Sequence, residues 1–349
     1  MYNFQRHLIP SGSKIKDALI QLDTLAEDAI LFIVDKVTDK LSGSLTDGDV
    51  RRGLIKGLEM ADGIDQFIQK RPKCIRKGDY EISDIIDLRI KDFRLVPVID
   101  KNDKVVNVIN FRLQRSYLPI DAIIMAGGRG ERLKPLTDKT PKPLLRIGEK
   151  PIIEHNFDRL RMFGIDDFWI SLRYLGEQVE DHFGNGSSRG VKVKYIWETE
   201  PLGTIGAARK IESLNHDVVL VTNSDLLTDL DYEDFYLDFL EKDADLAIAC
   251  IPYKVNIPYA VMETNGSQVT GFKEKPTYTH YSNGGIYLLK KELLEMIPKD
   301  GHFNATDLME KLINDGLKVI SYPFMGYWLD IGKHDDFNRA QEDVKHLNL

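Results

Sequence analysis

Residues 121–145, D-A-I-I-M-A-G-G-R-G-E-R-L-K-P-L-T-D-K-T-P-K-P-L-L, constrain this chain more than any other stretch. A short apolar run breaks at Gly127, Gly128 and Gly130. Such a run suits a strand of a parallel sheet covered on both faces, and glycines at its end leave backbone N–H groups free to face an anion. Arg129, Arg132, Lys139 and Lys142 add positive charge to the turn. Spacing excludes two familiar phosphate loops: G-x-x-x-x-G-K-[ST] is absent, and G-x-G-x-x-G fails because Leu133 holds its last glycine position. The second failure also argues against an NAD-dependent dehydrogenase.

With 349 residues the chain is long for one core and fits two domains, each large enough to fold alone. A net charge of -8 lacks the basic face that nucleic acid or an anionic membrane would need, so no nucleic acid and no membrane partner is expected. Cys74 and Cys250 lie far apart without a C-x-x-C, which implies neither a disulfide framework nor a zinc site, and both are expected to be buried thiols. The eight histidines show no metal-ligand spacing. The start M-Y-N-F-Q-R-H-L-I-P has no apolar signal core, and no run approaches the roughly 18 apolar residues of a membrane span, so a cytoplasmic protein is expected. Trp169, Trp197 and Trp328 come without basic-aromatic alternation and read as core.

Residues 1–118 carry 20 Lys+Arg and 18 Asp+Glu, whereas residues 119–349 carry 27 and 37, so the acidity lies in the second segment and a domain boundary is expected between 118 and 119. Within the first segment, I-L-F-I-V-D at 30–35 is echoed by R-L-V-P-V-I-D at 94–100. One such unit has too little apolar face to bury alone, so two copies are expected to pack together, with helices over 15–25 and 47–57 in the first and 82–90 in the second. R-L-V-P-V-I-D and G-S-L-T-D-G-D-V-R-R resemble a tandem cystathionine-β-synthase (CBS) pair. In that family G-h-h-[ST]-x-x-D binds adenine nucleotides, and Gly43, Thr46 and Asp49 match it, which implies a regulatory nucleotide with Thr46 on phosphate and Asp49 on ribose. The second copy has Asn107, Asn110 and Leu113 there and has lost the motif. Thr46 is equally a good helix N-cap, and such pairs also serve as dimerisation modules, so both readings stay open and a homo-oligomer is expected.

From Asp121 the pattern alternates strand and helix, as in a three-layer α/β fold. A helix is expected over 151–163, closed by Gly164, with strands over 168–172, 191–196, 218–221 and 246–250. Such a sheet binds its ligand beyond the carboxyl ends of its strands.

G-G-x-G-x-R-L followed by K-P at Lys142 and Pro143 is similar to the signature of the sugar-phosphate nucleotidyltransferases. The resemblance implies a Rossmann-like α/β/α domain over 119–349 that passes a nucleotidyl group from a nucleoside triphosphate to a sugar 1-phosphate with Mg²⁺. It places the nucleotide at Gly127, Gly128, Gly130 and Glu131, Lys142 on the reacting phosphates and Arg132 on the departing pyrophosphate. No protein nucleophile is needed, because the sugar phosphate is already an anionic nucleophile that the protein has to orient and neutralise. Asp225, just after V-V-L-V-T-N, and Asp330 in W-L-D-I-G match the family's metal-binding aspartates, with Ser224 where glycine is usual. Glu274 and Lys275 in F-K-E-K-P and Asn283 in N-G-G-I-Y-L-L match its sugar and sugar-phosphate contacts; without the resemblance E-K-P reads as a solvated turn.

The base is expected at P-L-G-T-I-G-A-A, with Leu202, with Gly203 permitting close approach, and with Thr204 opening a helix. This run looks more like guanylyl- than thymidylyltransferases. Fusion to a CBS pair resembles the glucosamine-1-phosphate guanylyltransferases of bacterial legionaminic acid synthesis, which implies GTP and glucosamine 1-phosphate, with mannose 1-phosphate the alternative. A nucleotide-sensing regulatory protein with an inactive transferase scaffold is opposed by the intact Arg132, Lys142, Asp225 and Asp330.

Overall fold

A computed structural model of the protein describes residues 3–347. The chain forms two compact units: Met1–Ile120 with Leu160–Phe168 and Phe183–Val193, and Asp121–Arg159 with Trp169–His182 and Lys194–Leu349. Among the described residues no helix is long and apolar enough to cross a membrane.

The first unit repeats one motif. Its first copy runs β1 (Leu8–Pro10), α1 (Ile15–Leu25), β2 (Ile30–Val34), β3 (Leu41–Thr46) and α2 (Asp47–Ile55), with a short β4 (Gln69–Lys70) on the edge of β3. The second runs β5 (Ile75–Arg76), α3 (Ile82–Ile90), β6 (Leu95–Ile99) and β7 (Val105–Asn110). In each copy a strand pairs parallel with the strand after the helix, which then pairs antiparallel with the next: β1–β2–β3 and β5–β6–β7. The central strands β2 and β6 are continuous apolar runs because both faces are covered. On α1, Ile15, Ala18, Leu22 and Leu25 form one stripe that packs on Leu31, Ile33, Leu45 and Ile64. α2 ends two residues short of the expected Gly57.

Phe32 of the first copy packs with Leu95 and Val108 of the second. A polar tie accompanies that cluster. The Asp28 carboxylate accepts from Asn110 Nδ2 at 2.9 Å and from Arg112 Nε and Nη2 at 3.0 and 2.8 Å. Those bonds, Arg112's foremost, hold the Asp28 carboxyl below the usual carboxylate range.

The segments 160–168 and 183–193 are integral to this unit. Lys77 Nζ pairs with Asp166 and Asp167, both at 2.8 Å, and the Tyr117 hydroxyl donates to Asp166 at 2.7 Å. Gly164, at φ +76°, ends the preceding helix where a Cβ would strike the Tyr117 backbone. Cys74, expected to be buried, is exposed: β5 is two residues long and Cys74 precedes it, so no second layer covers the thiol. Cys250 is buried as expected.

From residue 120 on, β8 (Ile120–Met125) leads through a hairpin of β9 (Arg146–Ile147) and β10 (Lys150–Pro151) into α4 (Ile152–Met162), then β11 (Asp167–Leu172), α5 (Gly176–Phe183), β12 (Lys192–Trp197), β13 (Val218–Asn223) and β14 (Leu226–Thr228). There follow α6 (Tyr232–Glu241), β15 (Leu246–Asn256), a β16–β17 hairpin (Val261–Asn265, Gln268–Lys273), β18 (Thr277–Lys290), α7 (Ala305–Asn314), β19 (Val319–Pro323), β20 (Trp328–Asp330) and α8 (His334–Asp343). Seven strands make one mixed sheet in the order β12-β11-β8-β13-β18-β15-β19. Its core gathers Ile123, Val219, Val221 and Leu289 with Leu308 and Leu312 of α7.

Two expectations change here. The strand expected over 246–250 continues to Asn256, because residues 250–256 pair with 277–283 of β18 and leave the main sheet as a two-stranded arm. Trp197, expected in the core, is 39% exposed at the end of the edge strand β12.

Asp28→Asn should destabilise the first unit by about 1–3 kcal/mol near neutral pH, because it replaces a charge-assisted acceptor of three bonds. With its folded pKa depressed, Asp28 contributes stability above the usual carboxylate range, and that contribution fades as pH falls through the folded value. Thermal melts of wild type and variant should therefore converge in acid; a pH-independent gap would contradict the ionic tie.

Candidate active site

Beyond the carboxyl ends of β8, β11, β12 and β13 lies a cavity of about 590 Å³, lined by the glycine loop, Lys142, Arg173, Glu198, residues 201–204, Asn223–Asp225 and His302. Two hydrogen bonds set its floor: the Ala126 amide donates to the Ser171 carbonyl at 3.0 Å, and the Ser224 amide to the Met125 carbonyl at 3.1 Å. They fix where the chain leaves β8 and β13.

The loop glycines have distinct steric reasons. A Cβ on Gly127 would stand 2.6 Å from Glu198 Oε1. Gly130 sits at φ +64°, and a Cβ there would crowd Lys142 and Thr137 at 2.9 Å. The Thr137 hydroxyl donates to the Gly130 carbonyl at 2.9 Å and locks the turn, while Glu131 and Arg132 follow in a single 3₁₀ turn. Arg129 lies over the Tyr174 ring, 5.5 Å from its centroid.

Asp225 and Asp330, 105 positions apart, meet because β14 pairs antiparallel with β20, register Leu226 with Asp330, and the Ile331 amide donates to the Asp225 carbonyl at 3.0 Å. Lys142, 9% exposed, forms an ion pair with Asp225 Oδ2. Asp225 Oδ1 and Asp330 Oδ1 are both buried without a hydrogen-bond partner among the described residues. Burial, followed by the neighbouring Asp225 charge, pushes the Asp330 carboxyl up from its ordinary value. Two orphaned, mutually repelling carboxylate oxygens are a donor set for a hard divalent cation, so Mg²⁺ fits Asp225 and Asp330. Arg132 completes the group, its guanidinium standing close enough to lower the Asp330 carboxyl in turn.

At the opposite end, β12 delivers Glu198, 8% exposed, whose amide donates to Leu172 at 2.9 Å. Its Oε1 accepts from the Ser171 hydroxyl and its Oε2 from the Leu202 amide at 3.2 Å. Gly203 adopts φ +83°, where a Cβ would overlap the Phe303 carbonyl. Thr204 does not open a helix of its own. Its hydroxyl accepts from the Ala305 amide at 2.9 Å and caps α7, while Ile205 precedes only a 3₁₀ turn.

The structure thus brings Gly127, Gly128, Gly130, Glu131, Arg132, Lys142, Leu202, Gly203, Thr204 and Asp225 to one cavity. Glu274, Lys275 and Asn283 do not line it: the first two are exposed after β17, and Asn283 Nδ2 donates to the Tyr287 hydroxyl at 2.8 Å. Thr46 and Asp49 lie in the first unit, where they close a capping box on α2 with Oγ1 to Oδ2 at 2.6 Å. Glu198, Arg173 and His302 were not singled out from sequence. The position of Glu198 and Arg173 at strand carboxyl ends was the available signal.

The nucleotidyl transferase family profile matches residues 121–346, and the chain belongs to that family and is an enzyme of its kind. It is 34% identical to a D-glycero-alpha-D-manno-heptose 1-phosphate guanylyltransferase from Aneurinibacillus thermoaerophilus, over 65% of this chain and 99% of that one. It is 31% identical to a mannose-1-phosphate guanylyltransferase from Mycobacterium tuberculosis and 32% to a UTP–glucose-1-phosphate uridylyltransferase from Synechocystis. Each of those two matches spans 64% of this chain, and they cover 64% and 63% of the relatives, so the chain spans under two thirds of either. The fold is shared with a Bacillus anthracis crystal structure described as a glucose-1-phosphate thymidylyltransferase, at TM-score 0.54 and 24% identity over 66% of this chain and 97% of that one.

Asp330→Asn removes a partly desolvated charge that repels Asp225, so the metal-free variant should melt slightly higher than wild type. The same change should abolish most of the stabilisation that Mg²⁺ gives the wild type in matched melts. Equal Mg²⁺ responses would place the metal elsewhere.

Proposed function

We propose that the protein transfers a guanylyl group from GTP to a sugar 1-phosphate, releasing pyrophosphate. The observation that carries this reading is the joining of Lys142, Arg132 and Asp225 with the glycine loop in one cavity, where the β14–β20 pairing brings Asp330 beside Asp225. The attacking oxygen of the sugar phosphate forms a bond to the α-phosphorus as the bond to the pyrophosphate oxygen breaks. Loop amides and Arg132 would hold the leaving pyrophosphate, and Lys142 would neutralise the reacting phosphates. A divalent cation bound by Asp225 and Asp330 would supply further charge neutralisation at phosphate oxygens. Glu274, Lys275 and Asn283 remain the proposed sugar contacts.

Guanine is favoured by Glu198. A carboxylate accepts only, and after its bonds from Ser171 and Leu202 it keeps lone pairs for a base edge that donates, as guanine's N1–H and 2-amino group do. Two of the three relatives named above are guanylyltransferases. For the sugar, glucosamine 1-phosphate is the first choice, and mannose 1-phosphate stands equally well on the relatives. Four nucleoside triphosphates crossed with several sugar 1-phosphates, scored by pyrophosphate, test the reading; release from no pair would end it. Lys142→Ala should lower turnover about a hundredfold or more.

For the first unit we propose a CBS-type pair in which Thr46 and Asp49 serve as a helix cap. The box consumes the groups a nucleotide would need, and the cavity beside Asp49 and Arg52, about 270 Å³, falls below the roughly 300–1,000 Å³ usual for ligand pockets. Calorimetry with AMP and ATP should give no saturable heat that Asp49→Ala removes.

A further inference from the structure

Arg173 is a cation of the cavity to which nothing above assigns a task. It follows β11 directly, is half-buried, and has no hydrogen-bond or ion-pair partner among the described residues. The other cations there are engaged: Arg129 lies on Tyr174, Lys142 pairs with Asp225, and Arg132 acts on Asp330. A half-buried guanidinium without a partner is costly unless a ligand meets it.

The sheet order says which part of a ligand that is. β11 lies between β8 and β12, while Asp225 follows β13 on the far side of β8. Ser171 and Leu172, the two residues before Arg173, bond the Ala126 and Glu198 amides at 3.0 and 2.9 Å. By strand order Arg173 therefore stands beside Glu198 and the start of the glycine loop, which meet at Gly127, on the side of the cavity away from Asp225.

We infer that Arg173 is a specificity-determining residue that reads guanine, donating to O6 and N7 while Glu198 accepts from N1–H and the 2-amino group. The fork of a guanidinium matches that acceptor pair in a way an ammonium cannot. Donor and acceptor side chains at adjacent strand ends then cover one contiguous edge of the base. Adenine would turn an amino group toward Arg173 and a bare ring nitrogen toward Glu198. Pyrimidines lack N7. The inference rests on the guanylyl reading and names the group that enforces it.

The test uses the full chain, its preferred sugar 1-phosphate, and GTP, 7-deaza-GTP and UTP, for wild type, Arg173→Ala and Arg173→Lys. The wild type should use 7-deaza-GTP, which lacks N7, about tenfold less efficiently than GTP in kcat/KM. Arg173→Ala should lose roughly ten- to a hundredfold with GTP, erase the GTP preference over 7-deaza-GTP, and cost UTP far less than GTP. Arg173→Lys should keep the charge without restoring that preference. Circular dichroism checks that both variants fold. An equal loss with all three nucleotides, or an undiminished preference in Arg173→Ala, would overturn the inference while leaving the guanylyl reading intact. A wild type indifferent to guanine would sink both.

Discussion

Asp225 and Asp330 are held close enough to repel each other, partly withdrawn from solvent, with Lys142 paired to Asp225 and the Arg132 guanidinium near Asp330. Much of the second unit serves to keep them there. The β14–β20 pairing closes over Leu227, Leu329 and Ile331, and it carries Asp330 back across 105 positions to its partner. Removing one charge would relax the site, and its retention accords with the proposed role of holding a dication and a polyphosphate there.

Around that cluster the backbone, more than the side chains, defines the cavity. Gly127 faces a carboxylate, Gly130 a lysine and Gly203 a main-chain carbonyl, three unrelated neighbours that each exclude a Cβ. Anions can then approach amide groups closely at one end, while a flat base can enter beside Glu198 at the other. Such preorganisation lowers the ordering needed when substrate arrives.

Features written in local spacing were legible in the sequence. The bounds of α1 and α3, the turn after β8 and the strand before Asp225 followed from apolar periodicity and glycine position. What escaped depends on distant partners. Thr204 looks like a cap for the residues after it, but its hydroxyl serves an amide 101 positions later. Glu198 and Arg173 are single charged residues with no period or motif, and only the order of strands in the sheet makes them neighbours. The same holds for the outer half of β15, where Pro252 and mixed polarity hide a strand that β18 completes.

The first unit borrows residues 160–168 and 183–193 from the region matched by the family profile. A boundary drawn at 118 separates charge and composition but not folding units. Severed there, the carboxyl-terminal piece would carry Asp166 without Lys77 or the Tyr117 hydroxyl, and the amino-terminal piece would carry Lys77 and Tyr117 without their acid. Neither fragment would be the domain its sequence suggests.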